Sequence, residues 1–438
     1  MRHAMPTMTI LALLLAGAHA LRGADHGLAA AFAFLACLVP TRRAWVRPVA
    51  AVALLWAAWA WADATVQFLR FRMALDLPWA RLAAILAGVM AVNGLALLAL
   101  GTDAARSFFR KDAAQGAAKA AVCLLTVFGL AMARAKVPFP VLLADRYFPG
   151  WGWAEIAILA CYAQWVFGRM AEPEGHRAVR PRIWALFSAV FFLQLALGLS
   201  GMEDMLMTGR LHLPVPALIA AGPVFRGGGY FMPILFGVTV LLVGPAWCSH
   251  LCYIGAWDDA MSRARKASRP DARLRRLGVA GRGAALVLCV GAAWLLRVMG
   301  APMIVAVLAA AVFGLVGVGV MVLVSRRRGV MAHCSAYCPM GLVAGVLGRL
   351  SPWRIRVDDG CTGCGACFSR CRYNALDAAR VEAGSPALSC TLCGDCLSAC
   401  AQGRIGYAFP GLRSGAARTL FLILATSLHA VFLGVARI

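Results

Sequence analysis

Apolar stretches of bilayer-spanning length recur along the whole chain, near residues 5 to 22, 27 to 41, 48 to 66, 79 to 101, 116 to 134, 152 to 170, 182 to 200, 232 to 252, 278 to 298, 301 to 325 and 417 to 436. A helix needs roughly 20 consecutive apolar residues to cross the hydrocarbon core, where its backbone polar groups must be satisfied internally. The pattern predicts about eleven transmembrane helices, hence an all-α polytopic membrane protein. Composition agrees: 62% of the 438 residues are hydrophobic and only 14% charged, far from the soluble-globular mean.

The formal net charge is +24, but the basic residues form no patch interleaved with aromatics, which argues against a nucleic-acid partner. They sort by membrane side instead. With the N-terminus inside, the cytoplasmic segments collect Arg42, Arg43, Arg47, Arg106, Arg110, Lys111, Arg177, Arg180, Arg263, Arg265, Lys266, Arg269, Arg273, Arg275, Arg276 and Arg326 to Arg328, as the positive-inside rule requires. The expectation is a cytoplasmic N-terminus, an outer C-terminus and a bacterial inner membrane. The first apolar segment also has the outline of a signal peptide, with Ala18-His19-Ala20 as a small-residue site; a retained helix is the favoured reading.

Eight of the sixteen cysteines lie between Ser351 and Leu412, in "CTGCGACFSRC" (Cys361, Cys364, Cys367, Cys371) and "CTLCGDCLSAC" (Cys390, Cys393, Cys396, Cys400). Both runs are C-x2-C-x2-C-x3-C, the bacterial ferredoxin spacing, in which the fourth cysteine ligates the other cluster. This assigns Cys361, Cys364, Cys367 and Cys400 to one [4Fe-4S] cluster and Cys390, Cys393, Cys396 and Cys371 to a second. A small cytoplasmic α+β ferredoxin domain follows. Zinc would favour paired C-x2-C motifs around a longer spacer, and a disulfide framework does not suit the reducing cytoplasm. Arg372 and Ala401 stand where proline commonly follows the fourth cysteine.

Two further pairs, Cys248 with Cys252 and Cys334 with Cys338, occur where apolar runs end on the same face. Residues four apart share one side of a helix, so two such helix ends could bring four sulfurs toward one point. Pro339 is expected to stop the second helix. These are candidate redox or metal pairs, the alternative being burial as small apolar residues.

The two C-x3-C motifs, "WCSHLCYIGAW" and "HCSAYCPMGLVAG", followed by a double ferredoxin run, resemble the NapH/NosR-type membrane polyferredoxins over about residues 182 to 412. The resemblance implies quinol-linked electron transfer to a redox-protein subunit of an anaerobic or periplasmic respiratory system, and a role in it for Cys334 and Cys338. Tyr253 stands where the first motif would carry proline. Because one relative is implicated in cupric-ion reduction, a cupric reductase or metal-centre assembly factor is the alternative; a redox-sensing membrane protein is a third. The chain reads as an electron-transfer component more than a stand-alone enzyme. Neither flavin nor haem is expected.

The chain divides on this reading into a six-helix region (1 to 176), a four-helix core with the cysteine pairs (177 to 350), the ferredoxin domain (351 to 412) and a C-terminal anchor (413 to 438). Cys37, Cys123, Cys161 and Cys289 read as packing residues, and His250 and His333 as interfacial histidines beside the pairs. His19 and His429 lack convincing facing partners for haem. Met202, Met205, Met207 and His212 are soft donors in a loop more simply read as an apolar interfacial segment. Asp63 and Glu155 are weak candidates for a proton or quinone site.

Overall fold

The computed structural model describes residues 4–205, 213–268 and 270–435. It is mostly helical, and among the described residues nine helices are long and apolar enough to cross a membrane: Ala4–Arg22, Val46–Ala74, Ala80–Gly101, Ala113–Lys136, Glu174–Leu199, Phe231–Leu251, Ala272–Val298, Met303–Arg328 and Ser414–Val435. Their outward faces are apolar, as lipid contact requires: Leu98 and Val287 are each 73% exposed. Two expected spans differ. The stretch 27 to 41 forms only a 13-residue helix, His26–Leu38, closed by a short turn at Pro40. The helix Gly152–Ala171 has 20 residues, but Glu155, Gln164 and Arg169 dilute its apolar character.

Residues divide into two compact units, Met1–Gly168 and Arg169–Ile438. In the first, Leu13, Ala16, Phe32, Trp45, Val46, Leu54, Ala96 and Leu100 belong to one buried core. Buried Asn93 donates its amide N–H to the carbonyl of Leu54 at 3.0 Å. Asp63 accepts from Gln67 one turn on, at 2.8 Å, and Glu155 accepts from the Ala144 amide at 2.8 Å. Both carboxylates therefore have local structural partners. His19 lies against Trp61 with ring centroids 4.5 Å apart.

In the second unit, β1 (Arg354–Val357) pairs antiparallel with β2 (Ile405–Ala408), Ile355 opposite Tyr407 and Val357 opposite Ile405. The strands bracket both ferredoxin runs, and alternation turns Ile355, Val357, Ile405 and Tyr407 inward. Between them lie two short helices, Ala366–Arg370 and Ala378–Glu382. The helix Ser414–Val435 packs on this small α+β segment. Phe421 stacks on Tyr407 at 4.5 Å and meets Trp353 edge-on at 5.4 Å.

Candidate iron–sulfur site

The ferredoxin runs are built on tight left-handed turns. Gly365 (φ +79°) and Gly394 (φ +80°) hold equivalent positions in the two runs, a conformation that costs glycine nothing. At the preceding left-handed position the first run has Gly363 (φ +69°) and the second Leu392 (φ +56°). The strained Leu392 is held by the Tyr407 hydroxyl, which donates to its carbonyl at 2.7 Å.

Each run's last cysteine crosses to the other set. Cys367 has Cys361 and Cys400 as electrostatic neighbours, and Cys396 has Cys371, Cys390 and Cys393; Cys364 is exposed. Backbone amides aim at the sulfurs: Ala375 donates to Cys371 Sγ at 3.2 Å and Arg404 to Cys400 Sγ at 3.3 Å. Without a metal, burial pushes Cys367 up to about 11 and Cys390 to about 12. Bound iron would supply the positive charge that offsets the burial of thiolates here. Two crossed sets of thiols with amide donors to sulfur fit a pair of cubanes.

A buried ion network holds the second run. Asp395, between Cys393 and Cys396, receives both Nε (2.9 Å) and Nη2 (2.7 Å) of Arg180 and an Nη of Arg263 at 3.2 Å. Arg263 also binds Asp259 at 2.5 Å. Burial works against the Asp395 carboxylate, but Arg180 and Arg263 outweigh it and hold the group at about 2. A ring nitrogen of His176 lies 2.7 Å from the Cys393 carbonyl. Arg372, where proline would commonly stand, donates to the carbonyls of Ser262, Gly329, Arg265 and Lys266 at 2.8 to 3.2 Å. Sequence reading missed this docking role, although a buried arginine after the last cysteine was its signal.

The membrane-edge pairs do not sit on one helical face as expected. Cys248 and Cys334 lie in five-residue π-helical turns, Trp247–Leu251 and His333–Tyr337. Cys252 and Cys338 follow in extended conformation and N-cap the next helices, Tyr253–Ser262 and Pro339–Leu347. Pro339 thus begins a helix instead of stopping one, since its missing N–H is harmless at a first helical position.

The two halves repeat each other bond for bond. Cys252 N donates to Trp247 O at 3.0 Å and Cys338 N to His333 O at 2.7 Å; Gly255 N donates to Cys252 O at 3.1 Å and Gly341 N to Cys338 O at 3.2 Å. The amides of Ile254 and Gly255 point at the Cys252 sulfur, and those of Met340 and Gly341 at the Cys338 sulfur.

All four thiols converge. Cys248 and Cys338 are buried in one core with Trp247, Leu251, Met340 and Ala344, and Cys252 packs against it. Cys334 has Asp258 and the other three cysteines as electrostatic neighbours. Asp258 accepts the Cys334 amide at 2.9 Å, and burial raises its carboxyl to about 6. Arg282, 2% exposed, faces Cys248, Cys334 and Cys338 from the helix Ala272–Val298. Among the described residues, no group of three His, Cys, Asp or Glu is gathered for a single metal ion. The thiols of both ferredoxin runs are included in this.

The remaining candidates are dispersed. His250 shares a 3.0 Å contact with Ser249 Oγ, and His429 lies 3.1 Å from the His250 carbonyl. His333 is buried against Gly317. Cys123 and Cys161 are neighbours within the first unit, while Cys37 is exposed and Cys289 half-buried. Met202 precedes the short turn Glu203–Met205, which Met205 ends; Met207 and His212 lie outside the described residues.

Comparison with known families and proteins falls on the membrane-edge pairs. A family described as a 4Fe-4S binding domain matches residues 227–270 and 310–358, so each segment takes in one pair and stops short of the ferredoxin runs. No curated protein matches the chain, and no solved structure matches it. The chain carries a 4Fe-4S binding domain among helices of membrane-spanning length, and this supports an iron–sulfur electron-transfer role.

Proposed function

We propose that the chain is a NapH/NosR-type membrane electron carrier. It passes electrons between quinol and a redox-protein subunit of an anaerobic or periplasmic respiratory system in the bacterial inner membrane. The carrying observation is continuity. The segment with two crossed thiol sets is bonded through Tyr373, Arg180 and Arg372 to the segments matched as 4Fe-4S binding.

On this reading Cys361, Cys364, Cys367 and Cys400 hold one cubane, and Cys390, Cys393, Cys396 and Cys371 the other. Bound cubanes supply one-electron chemistry. The chain's own residues set the conditions. Amides of Ala375 and Arg404 stabilise sulfur charge, and burial of Cys371 and Cys396 excludes water. Arg180 and Arg263 fix the second run through Asp395. A cytoplasmic first end and a cytoplasmic ferredoxin segment are supported by the distribution of basic residues.

The test is anaerobic addition of a reduced short-chain quinol to the full chain in lipid nanodiscs, followed at low temperature by EPR. Reduction of both ferredoxin clusters within the mixing time, blocked by a quinone-site inhibitor, is the expected result. Clusters that dithionite reduces but quinol does not would remove quinol as donor.

A further inference from the structure

The membrane-edge cysteines share a feature that the ferredoxin runs do not explain: a buried cation with no carboxylate partner. Arg282 lies within a membrane-spanning helix, and its Nε donates one long bond, 3.3 Å, to the Gly278 carbonyl one turn back. None of the ion pairs found among the described residues includes it. A charged group inside a membrane bundle is costly unless something of opposite sign or a polar cavity receives it. What Arg282 faces is sulfur: Cys248, Cys334 and Cys338. Asp258, a carboxyl beside the same thiols, accepts the Cys334 amide.

Three independent features converge on the same point. Two repeated turns each present a pair of thiols, and the second thiol of each pair caps a helix of nine or ten residues. The same 4Fe-4S family matches both turns. The helix Ala272–Val298 is relieved at Gly278 and Gly281, where a Cβ would stand 2.6 Å from the Ser335 carbonyl oxygen and 2.8 Å from that of Ala336. The second turn is thereby seated one helical turn from Arg282.

We propose that Cys248, Cys252, Cys334 and Cys338 together hold a third [4Fe-4S] cluster at the membrane edge, two thiolates from each half, with Arg282 as its counter-cation. Four thiolates around a cubane core are net anionic, which answers the lone arginine. The site rests on the electron-carrier reading only for its role, not for its ligands.

The experiment uses the full chain, purified anaerobically in nanodiscs, with iron, acid-labile sulfide, copper and zinc measured per chain and Mössbauer spectra recorded. The wild type is expected to hold about twelve irons and Cys248→Ser/Cys334→Ser about eight. Loss of about four irons in the double variant supports the third centre whatever the total, so a wild type near four that falls to none would support it while overturning the ferredoxin reading. An iron count unchanged by the double substitution overturns the third centre and leaves the ferredoxin clusters standing; copper or zinc lost with the pairs in place of iron also overturns it. Arg282→Gln, which keeps all four thiols, guards against misfolding as the cause. It is expected to retain the iron and lower the midpoint potential of one centre only, because reduction adds negative charge beside a cation now removed. Unchanged potentials at all centres would overturn the role of Arg282.

Discussion

The Tyr373 hydroxyl donates a 2.8 Å hydrogen bond to the Cys248 carbonyl, joining a residue two positions after a ferredoxin cysteine to the first membrane-edge cysteine. Tyr373 is 2% exposed, with Cys334, Cys248 and Cys393 as electrostatic neighbours. The ring therefore fills the space between the second thiol set and the pairs. Tyr373→Phe keeps that packing and leaves a buried carbonyl unpaired, at a cost of about 1–3 kcal/mol. Iron content should be unchanged, while the thermal midpoint falls and electron exchange beyond the ferredoxin clusters slows in stopped-flow measurement. A variant as stable and as fast as wild type would remove the hydrogen bond from both roles.

Arg180 is the only cation paired with both Asp259 and Asp395 besides Arg263 among the described residues, and it is fully buried. Removing one partner of a buried network strands the others, typically at about 3–5 kcal/mol. Arg180→Ala is expected to unfasten the second ferredoxin run, with iron at that set lost on heating before iron at the first. Asp395→Asn keeps hydrogen-bonding atoms and should cost less. Equal heat resistance of both sets in Arg180→Ala would refute this.

The helices are legible in the sequence because hydropathy is a local signal, and so is the grouping of the cysteines into two runs, because their spacing is local too. Two expected spans fall outside the nine: 27 to 41 is short because Pro40 and left-handed Arg42 end its helix, and the helix Gly152–Ala171 keeps polar side chains along its length. The membrane-edge pairs were found by spacing, yet their geometry was not, since a π-helical turn leaves the same i, i+4 signature as an α-helix. Arg180, Arg282 and Tyr373 were invisible as site residues. Arg180 acts on Ser249, Asp259 and Asp395, 69 to 215 positions away, Tyr373 on Cys248, 125 positions away, and Arg282 on cysteines of two other elements, and no local pattern encodes such a meeting.

The crossing of the fourth cysteines gives a test of ligation. Cys400→Ser should disturb the same EPR signal as Cys361→Ser, 39 positions earlier, while Cys371→Ser should disturb that of Cys390→Ser. Serine oxygen is a harder ligand than thiolate and destabilises the cluster it joins. If Cys371→Ser and Cys361→Ser altered one signal together, each run would hold its own cluster and the crossed assignment would fall.

Asp377 links the ferredoxin segment to the helix Ala272–Val298, binding Arg275 at 2.5 Å and capping Ala378–Glu382 through the Arg380 amide at 3.0 Å. Slight burial opposes ionisation, but Arg275 and the amide outweigh it and hold the carboxyl below its ordinary value. A depressed carboxylate stabilises the fold above the unfolded value of about 3.9, and the contribution is lost as pH falls through the folded value. Asp377→Asn should therefore be less stable than wild type at pH 7, by up to about 1 kcal/mol. The two should converge below about pH 4. A gap that widened on acidification would contradict the pairing.

Gly281 offers a sign reversal. In an ordinary helix interior, alanine is about 1 kcal/mol more favourable than glycine, so Gly281→Ala in an unpacked helix would stabilise. Here the added Cβ would meet the Ala336 carbonyl oxygen at 2.8 Å, in the turn that carries Cys334. The helix must shift or the turn must move, and overpacking of this kind costs about 1–3 kcal/mol. Gly291, on the same helix with nothing near its Cβ position, is the internal control. Gly291→Ala should raise the thermal midpoint and Gly281→Ala lower it, with the accessibility of Cys334 to a thiol reagent rising only in the latter. Parallel stabilisation by both substitutions would mean that the second cysteine turn is not seated on this helix.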